Sequence, residues 1–206
     1  VTASVRLIVA TSNPGKLREY RTLAGPAAGI ELDLLPGFAS LPSFEESAPT
    51  FAENAAGKAL HYSRFTDELL LAEDSGLVVP ALGGAPGPRS ARYGGPDATD
   101  ADRVRKLIEE LGPRPASERR ARFVAVAALA RQGEPVAVFS DFVEGVLTDQ
   151  PRGEDGFGYD PIFLFEPLGC TFAELGVEQK NQHSHRARAF RKVVSFLRSR
   201  EAALLL

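Results

Sequence analysis

The stretch VRLIVATSNPGKLREY, residues 5–20, changes character halfway along, and the rest of the chain is read outward from that change. Val5 to Ala10 reads as a buried strand, and Leu17, Tyr20, Leu23 and Ala24 then recur at helical spacing. Between them lie Thr11, Ser12, Asn13, Pro14, Gly15 and Lys16. Asn caps helices, Pro fits their first position and Gly relaxes the turn, so the stretch predicts strand, turn and helix in succession. The same junction can seat an anion. Amides at a helix start are unpaired and carry partial positive charge, Lys16 adds a point charge, and Thr11, Ser12 and Asn13 add side-chain donors. It is not a Walker loop, because GxxxxGK[ST] is absent. Alone, the junction favours plain turn chemistry over a phosphate site, such turns being common.

Beyond it, Gly25-Pro26 stops the helix and Ile30 to Leu35 forms a second strand. The loop GFASLPSFEESAPT leads to a capping box of Thr50 and Glu53, after which FAENAAGKALHYSRF continues helically. On that helix Phe51, Ala55, Ala59 and Tyr62 share one face, and Asn54, Lys58 and His61 another. Leu69 to Ala72 is a short apolar strand running into Glu73-Asp74-Ser75-Gly76, a costly place for charge unless something pairs it. LGGAPGPRSARYGG is an ordered, irregular loop. Asp97 or Thr99 caps a helix through Val104, Leu107, Ile108 and Leu111, closed by Gly112-Pro113. Arg122 to Ala130 and Val136 to Leu147 form an antiparallel hairpin around RQGEP. GEDGFGYDPIFLF sets a glycine-rich loop before a strand, and Ser184 begins a last helix with Ala187, Phe190, Val194 and Leu197 inward. Helices and strands alternate early and a hairpin comes late, which predicts an α/β protein with a mixed sheet flanked by helices. The polar loops fall at element ends, where such proteins bind ligands.

At 206 residues, with 44% apolar and 25% charged content, the chain is long enough for one well-buried core and reads as one domain over 1–206 with two lobes. A net charge of -3 provides no global field for a nucleic-acid polymer or an anionic membrane. Cys170 is the only cysteine, which excludes an internal disulfide and a cysteine-built zinc site and fits a reducing compartment. No leader pattern and no bilayer-length apolar run is present, so a soluble, cytoplasmic protein is expected.

TSNPGK, FEESAPTFAENAAGKA, AEDSGL, PGPRSARYGG, GFGYDPIF and KNQHSHR occur in one order. In that order they resemble the non-canonical purine NTP pyrophosphatases, the inosine and xanthosine triphosphatase family, over residues 11 to 188. The resemblance implies an α/β fold with a long mixed sheet and a deep central cleft between two lobes, usually as a homodimer. It implies hydrolysis of ITP, dITP and XTP to the monophosphate and pyrophosphate, with Mg2+ as cofactor. Thr11, Ser12, Asn13, Pro14, Gly15 and Lys16 would form the triphosphate loop. Glu45 or Glu46 with Asp74 would hold the metal, Asp74 would be the proton acceptor, and Ser75 would contact substrate. Phe157, Gly158, Tyr159 and Asp160 would take the base and sugar, and Lys180, His185 and Arg186 would contact the base edge and phosphates. Two positions depart from the pattern: Glu73 stands where the family commonly has aspartate, and His183 where it has an apolar residue.

Residue chemistry supports the implied reaction. Two unit charges 4 Å apart interact by about 4 kcal/mol at an effective dielectric of 20, so a triphosphate needs strong compensation before a nucleophile can approach it. Lys16, Lys58, Lys180 and Arg186 offer cations, and the carboxylate pairs offer metal ligands. Donor-only side chains such as Lys180 and Arg186 favour a base presenting O6 over one presenting an amino group, and Phe157 can stack on a purine. Read singly, each motif has a plainer meaning. Glu45-Glu46 favours a solvated acidic loop, Asp74 can cap a turn with Ser75, and the aromatics of GFGYD can be core. SHR can be a helix cap, Arg92 can stack on Tyr93, and His61 and His183 are expected at the surface. Other modified nucleotides as substrates, or nucleotide binding without catalysis, are the rival functions.

Overall fold

The computed structural model describes residues 5–24, 29–199 and 202. Among them, strands β1 (Val5–Ala10), β2 (Ile30–Leu34), β3 (Leu69–Val78), β4 (Arg120–Arg131), β5 (Glu134–Leu147), β6 (Phe163–Phe165) and β7 (Cys170–Thr171) form one mixed sheet. Its order is β2-β1-β3-β4-β5-β6-β7. β1 runs parallel to β2 and β3, whereas β6 is antiparallel to β5 and β7. The helices are α1 (Pro14–Leu23), α2 (Phe51–Tyr62), α3 (Asp100–Leu111), α4 (Val177–His183) and α5 (His185–Leu197). The expected α/β architecture is present. The chain divides into two compact units, one of Val1–Asp74, Ala125–Asp141 and His185–Leu206, the other of Ser75–Val124 and Phe142–Ser184.

In the first unit the two-residue period of the strands builds two cores. Leu7, Val9, Leu69, Leu71, Ala127 and Leu129 gather with Tyr20 of α1 and Phe190 and Val193 of α5. Their neighbours Ile8, Ala10, Leu70, Ala72, Val126 and Ala128 gather with Ala55, Ala59 and Tyr62 of α2. Successive side chains point to opposite faces, and both faces are buried, which is why these strands read as continuous apolar runs. In the second unit Leu77, Leu107, Leu111 and a group of phenylalanines form the core. The rings of Phe123 and Phe163 lie 4.5 Å apart, and those of Phe163 and Phe172 5.0 Å apart.

The hairpin turn is two residues, Gln132 and Gly133, both at positive φ (52° and 85°), the twist-compatible geometry for joining adjacent strands. β3 differs from the reading in an instructive way: it does not end at Ala72 but runs on through Glu73, Asp74, Ser75 and Gly76 to Val78. At Gly76 a side chain has no room, since a Cβ would fall 2.3 Å from Ser90 Oγ and 2.7 Å from the Gly87 carbonyl. At the start of α2 the Thr50 hydroxyl accepts from the Glu53 amide at 3.2 Å and donates to the Glu53 carboxylate at 2.6 Å, so the carboxylate returns to the hydroxyl and not to the backbone. A reciprocal capping box does occur at α3, between Thr99 and Asp102. α4 was not anticipated; it is seven residues long and has no side-chain cap to announce it. His61 is half-buried among Phe44, Tyr62 and Phe65, with Nε2 2.8 Å from the Pro42 carbonyl. His183 is likewise half-buried, tilted against Phe165. Both rings lean on aromatic neighbours and keep part of their surface exposed, so the surface placement expected holds only in part. Gly25-Pro26 lies outside the described residues. No helix among those described is long and apolar enough to cross a membrane.

Phe172 is fully buried and touches three other rings, so Phe172→Ala removes contacts its neighbours cannot replace. The expected cost is about 3–5 kcal/mol. Thermal denaturation should show Tm falling by about 10 °C; an unchanged Tm would contradict the packing described.

Candidate active site

At the start of α1 the Asn13 side chain accepts from the Lys16 amide at 3.0 Å, and the Asn13 carbonyl from the Leu17 amide at 3.1 Å. The Asn13 amide itself donates to Thr11 Oγ1 at 3.1 Å, and Pro14 has no N–H to give. The cap thus takes the Lys16 amide, and Pro14 offers none. An anion here would depend on side chains and on the ammonium of Lys16 more than on the backbone cradle the sequence suggested. Ser12 and Pro14 are exposed, Thr11, Asn13 and Lys16 half-buried, and Gly15 buried.

Lys16 leads to the acidic strand: its Nζ lies 3.3 Å from Glu73 Oε1. Glu73 is held from three sides. Arg186 donates through Nε and Nη2 to its two oxygens, each at 2.8 Å, and Tyr20 donates its hydroxyl to the same carboxylate. Arg186 also pairs with Glu19 of α1. Burial alone would raise the Glu73 carboxyl, but Arg186 first and Lys16 second outweigh it and hold it well below the usual carboxylate range. Burial together with Glu73 pushes the Tyr20 phenol well up. For Arg186 the desolvation that would lower it is overcome by Glu73 and Glu19, which keep the guanidinium charged. Arg186 is 1% exposed and serves here as the internal counter-ion of Glu73 and Glu19. That satisfied charge is also why β3 continues through its acidic residues instead of breaking.

Asp74 is served from α2. Asn54, 0% exposed, donates from Nδ2 to Asp74 Oδ2 at 3.1 Å and to the Ala48 carbonyl at 3.3 Å, while its Oδ1 accepts from the Ala48 amide at 3.0 Å. One turn later Lys58 pairs with the Glu46 carboxylate and donates to the Glu73 carbonyl at 3.2 Å. The polar face of α2 therefore ties the acidic loop and the acidic strand together. It also separates the two loop glutamates: Glu46 is half-buried against Lys58, and Glu45 is exposed. Glu73 is engaged by Arg186, Tyr20 and Lys16; Glu46, paired with Lys58, and Asp74, bonded by Asn54, are the carboxylates that could hold a metal. No group of three His, Cys, Asp or Glu side chains that could hold a metal occurs among the described residues. Mg2+ does not require one, since it takes one or two carboxylates and completes its shell with substrate phosphates and water. Two hard oxygen donors beside ammonium groups fit that habit. Asn54, Glu19 and Tyr20 were not singled out as site residues from the sequence; the i, i+4 spacing of Asn54 and Lys58 was the one available signal.

In the second unit Asp160 organises the glycine-rich loop. Its Oδ2 accepts from the Phe157 amide at 2.9 Å and pairs with the buried ammonium of Lys180, which lies 4.8 Å from the centre of the Phe157 ring. The Gly158 amide donates to Asp100 at 2.6 Å, and the Tyr159 hydroxyl to the Ser90 carbonyl at 3.0 Å. Burial pushes the Tyr159 phenol up, so it remains a donor. Ser90 in turn accepts from the Leu77 amide at 2.9 Å. The structure thus brings Phe157, Gly158, Tyr159, Asp160 and Lys180 together, with half-buried Ser75 in the same unit, while Lys16, Glu46, Asp74 and Arg186 lie in the first. His185, buried, opens α5.

A mixed sheet whose acidic strand is met by lysines, an asparagine and an arginine defines an α/β protein with a densely charged site. Its residues 7–196 match the Ham1 family, and the chain belongs to that family. The dITP/XTP pyrophosphatase of Geobacillus kaustophilus is 46% identical over 187 residues, covering 91% of each chain. That of Thermus thermophilus is 46% identical over 190 residues, 92% of this chain and 90% of the relative. Among solved structures, a HAM1 protein from Coxiella burnetii superposes with a TM-score of 0.82 at 39% identity, covering 94% of this chain and 98% of that one.

Two outcomes follow from the Glu73 network. Arg186→Met would strand two buried carboxylates and should cost about 3–5 kcal/mol by chemical denaturation. Because the folded Glu73 carboxyl sits below its unfolded value, its contribution is complete above the ordinary carboxylate range and is lost as pH falls toward the folded value. The decline in Tm between about pH 5 and pH 3 should therefore be shallower in Glu73→Gln than in the parent; equal slopes would remove Glu73 from the acid response.

Proposed function

We propose that this chain hydrolyses non-canonical purine nucleoside triphosphates, ITP, dITP and XTP, to the monophosphate and pyrophosphate. The substrate class is supported by the activity named for its relatives. The chemistry rests on one observation: a single helix face carries Asn54, bonded to Asp74, and Lys58, paired with Glu46, and Lys58 and Lys16 both reach the neighbouring Glu73.

In this reading Thr11, Ser12, Asn13 and Lys16 hold the phosphate tail, and Lys58 adds a second cation. Glu46 and Asp74 would hold Mg2+, which when bound neutralises phosphate charge. Asp74 accepts a proton from the attacking water. The water oxygen forms a bond to the α-phosphorus, the bond from that phosphorus to the bridging oxygen breaks, and pyrophosphate leaves with the bond electrons. Glu73, Arg186, Glu19 and Tyr20 keep Lys16 and the strand in place. In the second unit Phe157 stacks on the purine and Lys180, a donor only, suits the O6 acceptor of hypoxanthine and xanthine. Adenine presents an amino donor there and is disfavoured. Cytoplasmic location and a homodimer belong to the same proposal, the first supported by the lone Cys170.

The test is a Mg2+-dependent assay over ITP, dITP, XTP, GTP, ATP and dUTP that distinguishes pyrophosphate from phosphate. Pyrophosphate release from the first three at rates well above the rest is expected; release of phosphate alone would overturn the reaction proposed. Asp74→Asn should lower kcat by about 10²–10⁴-fold. Lys16→Ala should leave a folded protein with weakened nucleotide binding and turnover, and unchanged kinetics would return residues 11–16 to the role of a turn.

A further inference from the structure

We propose that Asn54 is a positioning residue for Asp74, an inference that rests on the hydrolytic role proposed for that carboxylate. Asp74 is 5% exposed and sits in a paired strand, so the backbone fixes its Cα but not the rotation of its carboxyl group. Asn54 reaches it from α2 with an N–H donor, and the Asn54 amide is itself fixed at both ends. Its oxygen accepts from the Ala48 amide and its nitrogen donates to the Ala48 carbonyl, which sets which end of the amide faces the strand. An oxygen placed toward Asp74 would meet a carboxylate with no proton between them, so the Ala48 contacts orient a donor toward the acid. The N-cap of Thr50 on the Glu53 amide holds the first turn that carries Asn54. Asn54 thereby holds Asp74 Oδ2, and with it the orientation of the carboxylate that accepts the proton. Outer-shell hydrogen-bonding partners of metal-ligating side chains are worth about 10–100-fold in metal affinity or activity.

The experiment compares the parent, Asn54→Leu, Asp74→Asn and the double variant by steady-state pyrophosphate release with ITP and Mg2+, with Tm measured for each. Asn54→Leu should lower kcat by about 10–100-fold with KM within about twofold. In the Asp74→Asn background the same substitution should lower the residual rate by less than about twofold, because a residue acting through Asp74 has nothing left to position. Asn54→Ser, a smaller change, carries the comparison if Asn54→Leu does not fold. A fall in Tm with kcat kept, or equal fold losses in both backgrounds, would overturn the proposal and make Asn54 a loop anchor alone. A parent that releases no pyrophosphate would instead sink the functional reading, and this inference with it.

Discussion

Two carboxylates stand side by side in a central strand, and the arrangement of the first unit follows from the cost of that placement. A buried charge must be paired and hydrogen-bonded or it is neutralised. Glu73 is paired by the guanidinium of Arg186 across both its oxygens, with Lys16 and Tyr20 completing its contacts. Asp74 takes its donor from Asn54. The charges of Arg186 and Lys16 balance those of Glu73 and Glu19, so the network holds together without a net buried charge. Adjacent residues on one strand thereby have different partners: Glu73 is locked to Arg186, Lys16 and Tyr20, while Asp74, held by Asn54, is the carboxylate assigned the proton in the proposed reaction.

That division explains how a glutamate stands in the first acidic position where the family commonly has aspartate. The longer side chain reaches the guanidinium of α5 and the phenol of α1, both buried. Lys58 pairs with Glu46 and so sets it apart from its exposed neighbour Glu45, and in the proposed reaction Asp74 and Glu46 are the carboxylates that would hold the metal. α2 is the organiser here. Its apolar face packs on the sheet through Ala55, Ala59 and Tyr62, and its polar face, one turn apart at Asn54 and Lys58, connects loop to strand.

What could be read from the sequence was what short-range periodicity records. β1, β2 and the hairpin of β4 and β5 were visible in apolar runs and turn residues, and α1, α2, α3 and α5 in spacing and caps. The motifs gave Lys16, Asp74, Asp160 and Lys180 as residues of interest, and the structure shows what each of them contacts. Continuation of β3 through Glu73 and Asp74 could not be read, because the residue that makes it tolerable, Arg186, is 113 positions away. The same distance hid the burial of Arg186, which local pattern placed beside a solvated helix start. Asn54 was visible only as one member of a polar stripe, its target lying on another element. At residues 11–16 local pattern gave the turn and the cap, and the structure adds that the Asn13 side chain takes the Lys16 amide.

In the proposed reaction water attacks the α-phosphorus and Asp74 takes its proton. Turnover of ITP in water enriched in heavy oxygen tests it most directly, with the label located by mass spectrometry in the two products. The account predicts that one labelled oxygen appears in the monophosphate and none in the pyrophosphate. Label in the pyrophosphate would place the attack on another phosphorus and contradict it.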